Sequence, residues 1–133
     1  QFDSSWDFSR FIPNIVVINL GSNDFSPPVY ADKTLFTEAY NRLLNNLRMY
    51  YGKECTIFCV TGPVLVKTLG DNHDRFIQDI VDDRKSCGDN HIHFFPLTRQ
   101  NGKTGYGAQW HPNIIQSEKN GLELSRFIQD RLV

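Results

Sequence analysis

The run Ile15-Val-Val-Ile-Asn-Leu-Gly-Ser-Asn-Asp-Phe25 constrains this chain more than any other stretch, because an apolar, β-branched segment empties directly into Gly-Ser-Asn-Asp. Such a run reads as a strand, from Ile15 to Gly21, covered on both faces as in a parallel sheet, with Pro13 punctuating its start. From about Lys33 to Tyr51, the residues Phe36, Ala39, Tyr40, Leu43, Leu44, Leu47 and Tyr51 recur at helical spacing, and Gly52 follows as a stop. Thr56-Ile-Phe-Cys-Val-Thr61 predicts a second buried strand ending at Gly62-Pro63. Asp71 or Asn72 is expected to cap a helix carrying Phe76, Ile77, Ile80 and Val81. His91-Ile-His-Phe-Phe-Pro-Leu97 predicts a third strand, followed by a polar, glycine-rich loop from Thr98 to Gln109. A last helix is expected from about Ser117, burying Leu124, Phe127 and Ile128, with Leu132 as a further candidate.

The order βαβαβα argues for a parallel sheet with helices on its faces, which binds ligands at the carboxyl ends of its strands. Three parallel strands make a thin sheet with a raw edge, so the expectation is a fold that continues beyond this chain. The 133 residues, 40% of them hydrophobic, suffice for one core, and no repeat, low-complexity tract or linker divides them. Fourteen Lys and Arg against fifteen Asp and Glu leave no global field for nucleic acid or an acidic membrane, so neither is expected as a partner. No apolar stretch approaches the ~20 residues needed to span a bilayer, and the first residues lack the pattern of a signal peptide, so any secretion signal is expected upstream. Cys55 and Cys59 lie four apart in a predicted strand, roughly 13 Å at the usual rise and beyond disulfide reach. They read as small buried hydrophobes, and at least one of the three cysteines stays free.

Two side chains at predicted strand ends carry chemistry. Asn23 offers a neutral amide at the mouth of a rigid strand, or else an ordinary turn residue bonding its own backbone. His111, fixed beside Pro112, offers a base, or else a residue at a helix start with a partner in the loop. His91 and His93 share one face of a strand, but no third ligand at a convincing spacing accompanies them, and His73 reads as part of a polar helix start. No metal or organic cofactor is implied.

Gly21-Ser22-Asn23-Asp24 after an apolar strand, with His111-Pro112 about ninety residues later, resembles blocks three and five of the SGNH (GDSL-type) hydrolases. The stretches Trp6 to Phe25 and Gly107-Ala-Gln-Trp-His-Pro-Asn113 resemble carbohydrate esterase family two, acetyl esterases acting on plant polysaccharides. The resemblance implies a three-layer α/β/α, flavodoxin-like domain of which residues 1–133 are the C-terminal portion. It also implies deacetylation of O-acetylated polysaccharide such as xylan or glucomannan, outside the cell. Ester hydrolysis needs a nucleophile, a base and donors aimed at an oxyanion. In this reading His111 is the base, and Asn23 shares the oxyanion hole with backbone donors from segments not in this chain.

Gly21 and Asp24 shape the loop, Trp110 and Tyr106 form a platform for sugar rings, and Phe25 either flanks the site or packs beneath it. Two departures from the family pattern stand out. Ala108 occupies the position of the aspartate that usually orients the histidine, which fits the Ser-His dyad variant in which a backbone carbonyl does so. The Gly-Asp-Ser block is absent, and Ser22, at the variable position of Gly-x-Asn-Asp, is not its substitute. The partners implied are the acetylated carbohydrate and the rest of the domain, from the same precursor, a second chain or a swapped protomer. Competing readings are a non-catalytic flavodoxin-like binding module, a protein whose nucleophile has been lost, and an esterase acting on lipid or peptidoglycan acetyl esters.

Overall fold

The structure is a computed structural model that describes residues 6–26, 28, 30–65 and 67–132. Three parallel strands, β1 (Ile15–Ile18), β2 (Thr56–Thr61) and β3 (Ile92–Pro96), pair in the order β1-β2-β3. Helix α1 (Lys33–Tyr51) connects the first pair, α2 (Lys67–Ser86) connects the second, and α3 (Ile114–Gln129) follows β3. The register sets Ile18 beside Cys59, Cys59 beside Phe94, and Val17 beside Phe58. Because side chains alternate across a strand, this defines two faces.

The first face presents Ile18, Ile57, Cys59 and Ile92, which share one core with Phe36, Tyr40 and Leu44 of α1 and Ile77, Ile80 and Val81 of α2. The second presents Phe58 and Phe95, and α3 covers them with Phe127, whose ring lies 6.0 Å from Phe58 and 4.3 Å from Phe95. Strand β2 is buried at all six positions, as a central strand should be.

Helix α1 runs over the residues its periodicity predicts. Asp32 caps its start by accepting the N–H of Leu35, and Gly52 ends it at φ 79°, where its N–H closes on Arg48. Arg48 then fastens the amino edge of the sheet, gripping the Asp89 carboxylate at 2.7 and 2.9 Å and the His91 carbonyl at 2.9 Å. Asp89 is thereby committed at the edge opposite the candidate site.

Other boundaries differ from expectation. Strand β1 stops at Ile18, not Gly21, and it is not covered on both faces among the described residues: Val17, on the face where Phe127 of α3 meets Phe58 and Phe95, is 44% exposed. Strand β3 spans Ile92–Pro96, one residue shorter at each end than predicted. Helix α2 starts at Lys67, so neither Asp71 nor Asn72 caps it. Gly70 sits inside the helix, where a β-carbon would meet the Arg99 guanidinium at 2.7 Å and the Leu65 carbonyl at 2.8 Å. Asp71 instead accepts from Arg99 at 2.6 Å. Helix α3 starts at Ile114, not Ser117, because the Asn113 side chain caps it on Gln116 N–H. Its first residues, Ile114 and Ile115, are exposed and break the apolar periodicity; Leu132 is exposed as well. Leu124, Phe127 and Ile128 are only partly buried, and the fully buried side chains of α3 are Gln116 and Asn120. All three cysteines are free. Burial pushes the Cys59 thiol up to about 11, so it stays protonated and inert.

Candidate active site

Both candidate motifs leave the same edge of the sheet. The chain leaving β1 reaches Gly21 at φ 108°, then turns through a 3₁₀ segment, Ser22–Phe25, closed by Asp24 N–H on the Gly21 carbonyl at 3.0 Å. Only glycine fits there. The backbone is left-handed, and a β-carbon would lie 2.6 Å from His73 Nε2 and 3.0 Å from the Phe36 ring. Phe25 is a core residue: its ring packs edge-on against Phe36 at 5.3 Å and Phe76 at 5.2 Å, and lies 4.9 Å from His73. That anchor leaves Asn23 on the exposed side of the turn, where, among the described residues, its amide takes no hydrogen bond. The bond of the alternative reading, from Asn23 to its own backbone, is not among those of the described residues. Asp24 contributes its backbone to the turn and leaves its side chain exposed.

Beneath this loop lies a residue whose role the sequence did not reveal. His73 is buried within α2, and its Nε2–H donates to the Leu20 carbonyl at 3.1 Å. Burial holds its pKa below the ordinary value of 6.5, against the opposing pull of Leu20 and the Asp74 and Asp24 carboxylates, so the ring is neutral. The spacing 73, 77, 80, 81 placed it on the inward stripe of α2, and that periodicity was the available signal.

The loop after β3 is held differently. Leu97 N–H extends the pairing to the Thr61 carbonyl, and the next three residues each pin another part of the molecule. The hydroxyl of Thr98 donates to Glu123 at 2.7 Å, while its carbonyl accepts from Gln116 at 2.8 Å and Asn120 at 2.9 Å. Burial alone would raise the Glu123 carboxyl, but the bonds from Thr98 and Asn120, with Lys119 nearby, outweigh it and hold the pKa below its ordinary range. Arg99 pairs with Asp71 and Asp74 of α2. Gln100 bonds Pro63 through its backbone at 3.1 Å and the Trp110 carbonyl through its side chain at 2.7 Å.

His111 follows a short 3₁₀ turn, Ala108–Trp110, in which Gln109 (φ 51°) and Trp110 (φ 64°) both sit in the left-handed region. Two successive non-glycine residues there cost on the order of 1–3 kcal/mol each. Gly107 N–H on the His111 carbonyl (2.8 Å), His111 N–H on the Ala108 carbonyl (3.0 Å), and Asn113 Nδ2 on the Thr104 carbonyl (2.6 Å) hold the turn closed. His111 is exposed, and among the described residues its ring takes no hydrogen bond, from a carbonyl or from a loop partner. Trp110 is 73% exposed and meets Tyr106 edge-on at 5.2 Å, forming an aromatic pair beside the histidine.

His91 and His93 do not converge on a ligand site: His91 lies 3.7 Å from Glu54, and His93 stacks on Phe58 at 5.3 Å. Among the described residues, no group of three or more His, Cys, Asp and Glu side chains gathers. No described helix is long and apolar enough to cross a membrane.

The parallel sheet carries Gly-Ser-Asn-Asp just past the carboxyl end of β1 and Trp-His-Pro-Asn in the loop between β3 and α3. The profile of the GDSL-like Lipase/Acylhydrolase family matches residues 1–119, and the chain belongs to that family. Within it, the chain resembles the family two carbohydrate esterases. It is 40% identical over 127 residues to the Cellulase/esterase CelE of Acetivibrio thermocellus, spanning 96% of this chain and 15% of that protein. It superposes with a TM-score of 0.93, at 39% identity, on a family two carbohydrate esterase from Clostridium thermocellum in complex with cellohexaose, covering 98% of this chain and 40% of that one. A family two enzyme plus carbohydrate binding domain from Corynascus thermopiles shares the fold, with a TM-score of 0.82 at 24% identity, over 96% of this chain and 40% of that one. The chain thus spans less than half the length of the relatives it matches.

Proposed function

We propose that the complete protein is a carbohydrate acetyl esterase that removes acetyl groups from O-acetylated plant polysaccharide such as xylan or glucomannan. The observation that carries this reading is the joint presentation of an unengaged Asn23 amide and an exposed His111 at one edge of one parallel sheet. Residues 1–133 supply base and oxyanion donor, and the serine belongs to a segment outside this chain. The exposed apolar residues Leu20, Tyr30 and Leu35 support that division. They line much of a cleft of about 470 Å³ between the end of β1 and α1, which the remainder of the domain would cover.

In the reaction, His111 takes the serine proton as the oxygen attacks the acetyl carbonyl, and Asn23 donates to the oxyanion that forms. Collapse breaks the bond to the sugar oxygen, which takes the proton back from His111 and leaves as the hydroxyl. The base then activates water to release acetate and regenerate the serine. Trp110 and Tyr106 stack on the sugar and fix its approach. A polymeric substrate places the enzyme outside the cell.

The test is acetate release from acetylated xylan by the complete protein. His111→Ala should lower the rate on the order of 10²- to 10⁴-fold while the fold persists. Turnover like that of the wild type in that variant would remove His111 from the mechanism.

A further inference from the structure

We infer that Gln100 is a positioning residue for this reaction, holding the Trp110 carbonyl and thereby the strained turn that carries Trp110 and His111. The inference rests on the esterase reading above. Gln100 is 7% exposed, an uncommon setting for a glutamine, and its Nε2–H donates to the Trp110 carbonyl at 2.7 Å. Its backbone N–H is fixed on the Pro63 carbonyl at 3.1 Å, so the side chain springs from the rigid ends of β2 and β3. The carbonyl it grips belongs to the second of two left-handed non-glycine residues, the part of the loop least able to hold its own conformation.

The amide also leaves Oε1 buried with no partner among the described residues. Leaving half of a buried amide unpaired costs free energy that the bond made by the other half has to offset. Here the bonded half reaches ten residues along the chain, to the residue immediately before the candidate base. Trp110 is more than two-thirds exposed and meets only the Tyr106 ring edge-on among the described aromatic pairs. The bond from Gln100 therefore adds to the backbone bonds that close the turn a tie to the sheet that packing does not provide.

Three arms test this in the complete protein. Gln100→Leu keeps the approximate volume and removes the donor. Gln100→Glu keeps the shape, and its buried carboxyl donates only when protonated. With 4-nitrophenyl acetate, Gln100→Leu should lower kcat on the order of 10- to 100-fold with KM little changed, and by the same ratio to wild type at every pH. Gln100→Glu should be as poor at alkaline pH, and its ratio to wild type should rise as pH falls. In 5-fluorotryptophan-labelled protein, the ¹⁹F resonance lost in Trp110→Phe should shift or broaden in Gln100→Leu and return in Gln100→Glu at low pH.

An unchanged Trp110 resonance in Gln100→Leu overturns the inference, and so does a changed one with kcat within twofold of wild type. A wild-type protein without esterase activity sinks the function proposed above instead, while the fluorine signal still shows whether Gln100 holds the turn. Melting curves of each variant keep loss of fold distinct from loss of position.

Discussion

The loops that carry Asn23 and His111 leave the same edge of one sheet and are held by opposite means. The first is fixed by apolar packing: Phe25 is clamped among Phe36, Phe76 and His73, and Gly21 lies too close to His73 to carry a side chain. The second is fixed by amides: Gln100, Asn113, Gln116 and Asn120 hold backbone carbonyls at 2.6–2.9 Å. Packing is strong at short range and tolerates no added volume, whereas a hydrogen bond tolerates volume and fails when its donor is lost. Substitutions that add volume should therefore damage the Asn23 loop, and substitutions that remove donors should damage the His111 loop.

The largest effect that can break this contrast is at Gly21. Gly21→Ala should cost about 2–4 kcal/mol in denaturant unfolding, combining a left-handed backbone with overpacking on His73 and Phe36. A variant as stable as wild type would show that the first loop is free to relax.

His73 comes next, as the polar side chain that supports the apolar loop from α2 through the Leu20 carbonyl. His73→Phe should cost about 1 kcal/mol through the lost bond to Leu20, and His73→Gln, which keeps a donor, should cost less. The ring also makes stability depend on pH. Its folded pKa lies below 6.5, so the unfolded chain binds the proton first. The contribution is complete above pH 6.5 and is lost as pH falls through the window below it. His93, also lowered, first by burial and then by Lys85, Arg131 and His91, adds to the same slope. Urea midpoints between pH 7.5 and 5 should fall for wild type and fall less for His73→Gln; equal slopes would contradict a buried neutral His73.

How much of this was legible follows the same division. The apolar elements were readable from pattern: α1 and β2 run from Lys33 to Tyr51 and from Thr56 to Thr61, as periodicity and composition predict. Asn23 and His111 stood out because the Gly-Ser-Asn-Asp and Trp-His-Pro-Asn blocks are contiguous. The polar supports were not legible. Gln116 and Asn120 occupy the inward stripe of α3 ahead of Phe127, where pattern reading looks for apolar side chains, and the start of that helix was placed at about Ser117, three residues late. The start of α2 was misplaced because Asp71 and Asn72 look like caps, whereas Asp71 is engaged by Arg99 from the loop after β3 and the helix begins at Lys67. The role of Gln100 depends on a partner ten residues away in a loop without periodicity.

A smaller effect sharpens the contrast at the second loop. Ala108→Asp places a carboxylate three residues before His111, where the resembled pattern has one. If a backbone carbonyl of the complete domain already orients His111, kcat should change by no more than a few fold. A large gain would mean that the orienting group was missing.

The account stands most directly on the oxyanion role of Asn23, whose amide the packed loop holds out to solvent. Steady-state kinetics of Asn23→Ala in the complete enzyme, on 4-nitrophenyl acetate and on an acetylated sugar, should show kcat lowered on the order of 10²- to 10³-fold with KM little changed and the circular dichroism spectrum intact. If KM rises while kcat holds, Asn23 binds substrate in the ground state, and the oxyanion donor lies elsewhere.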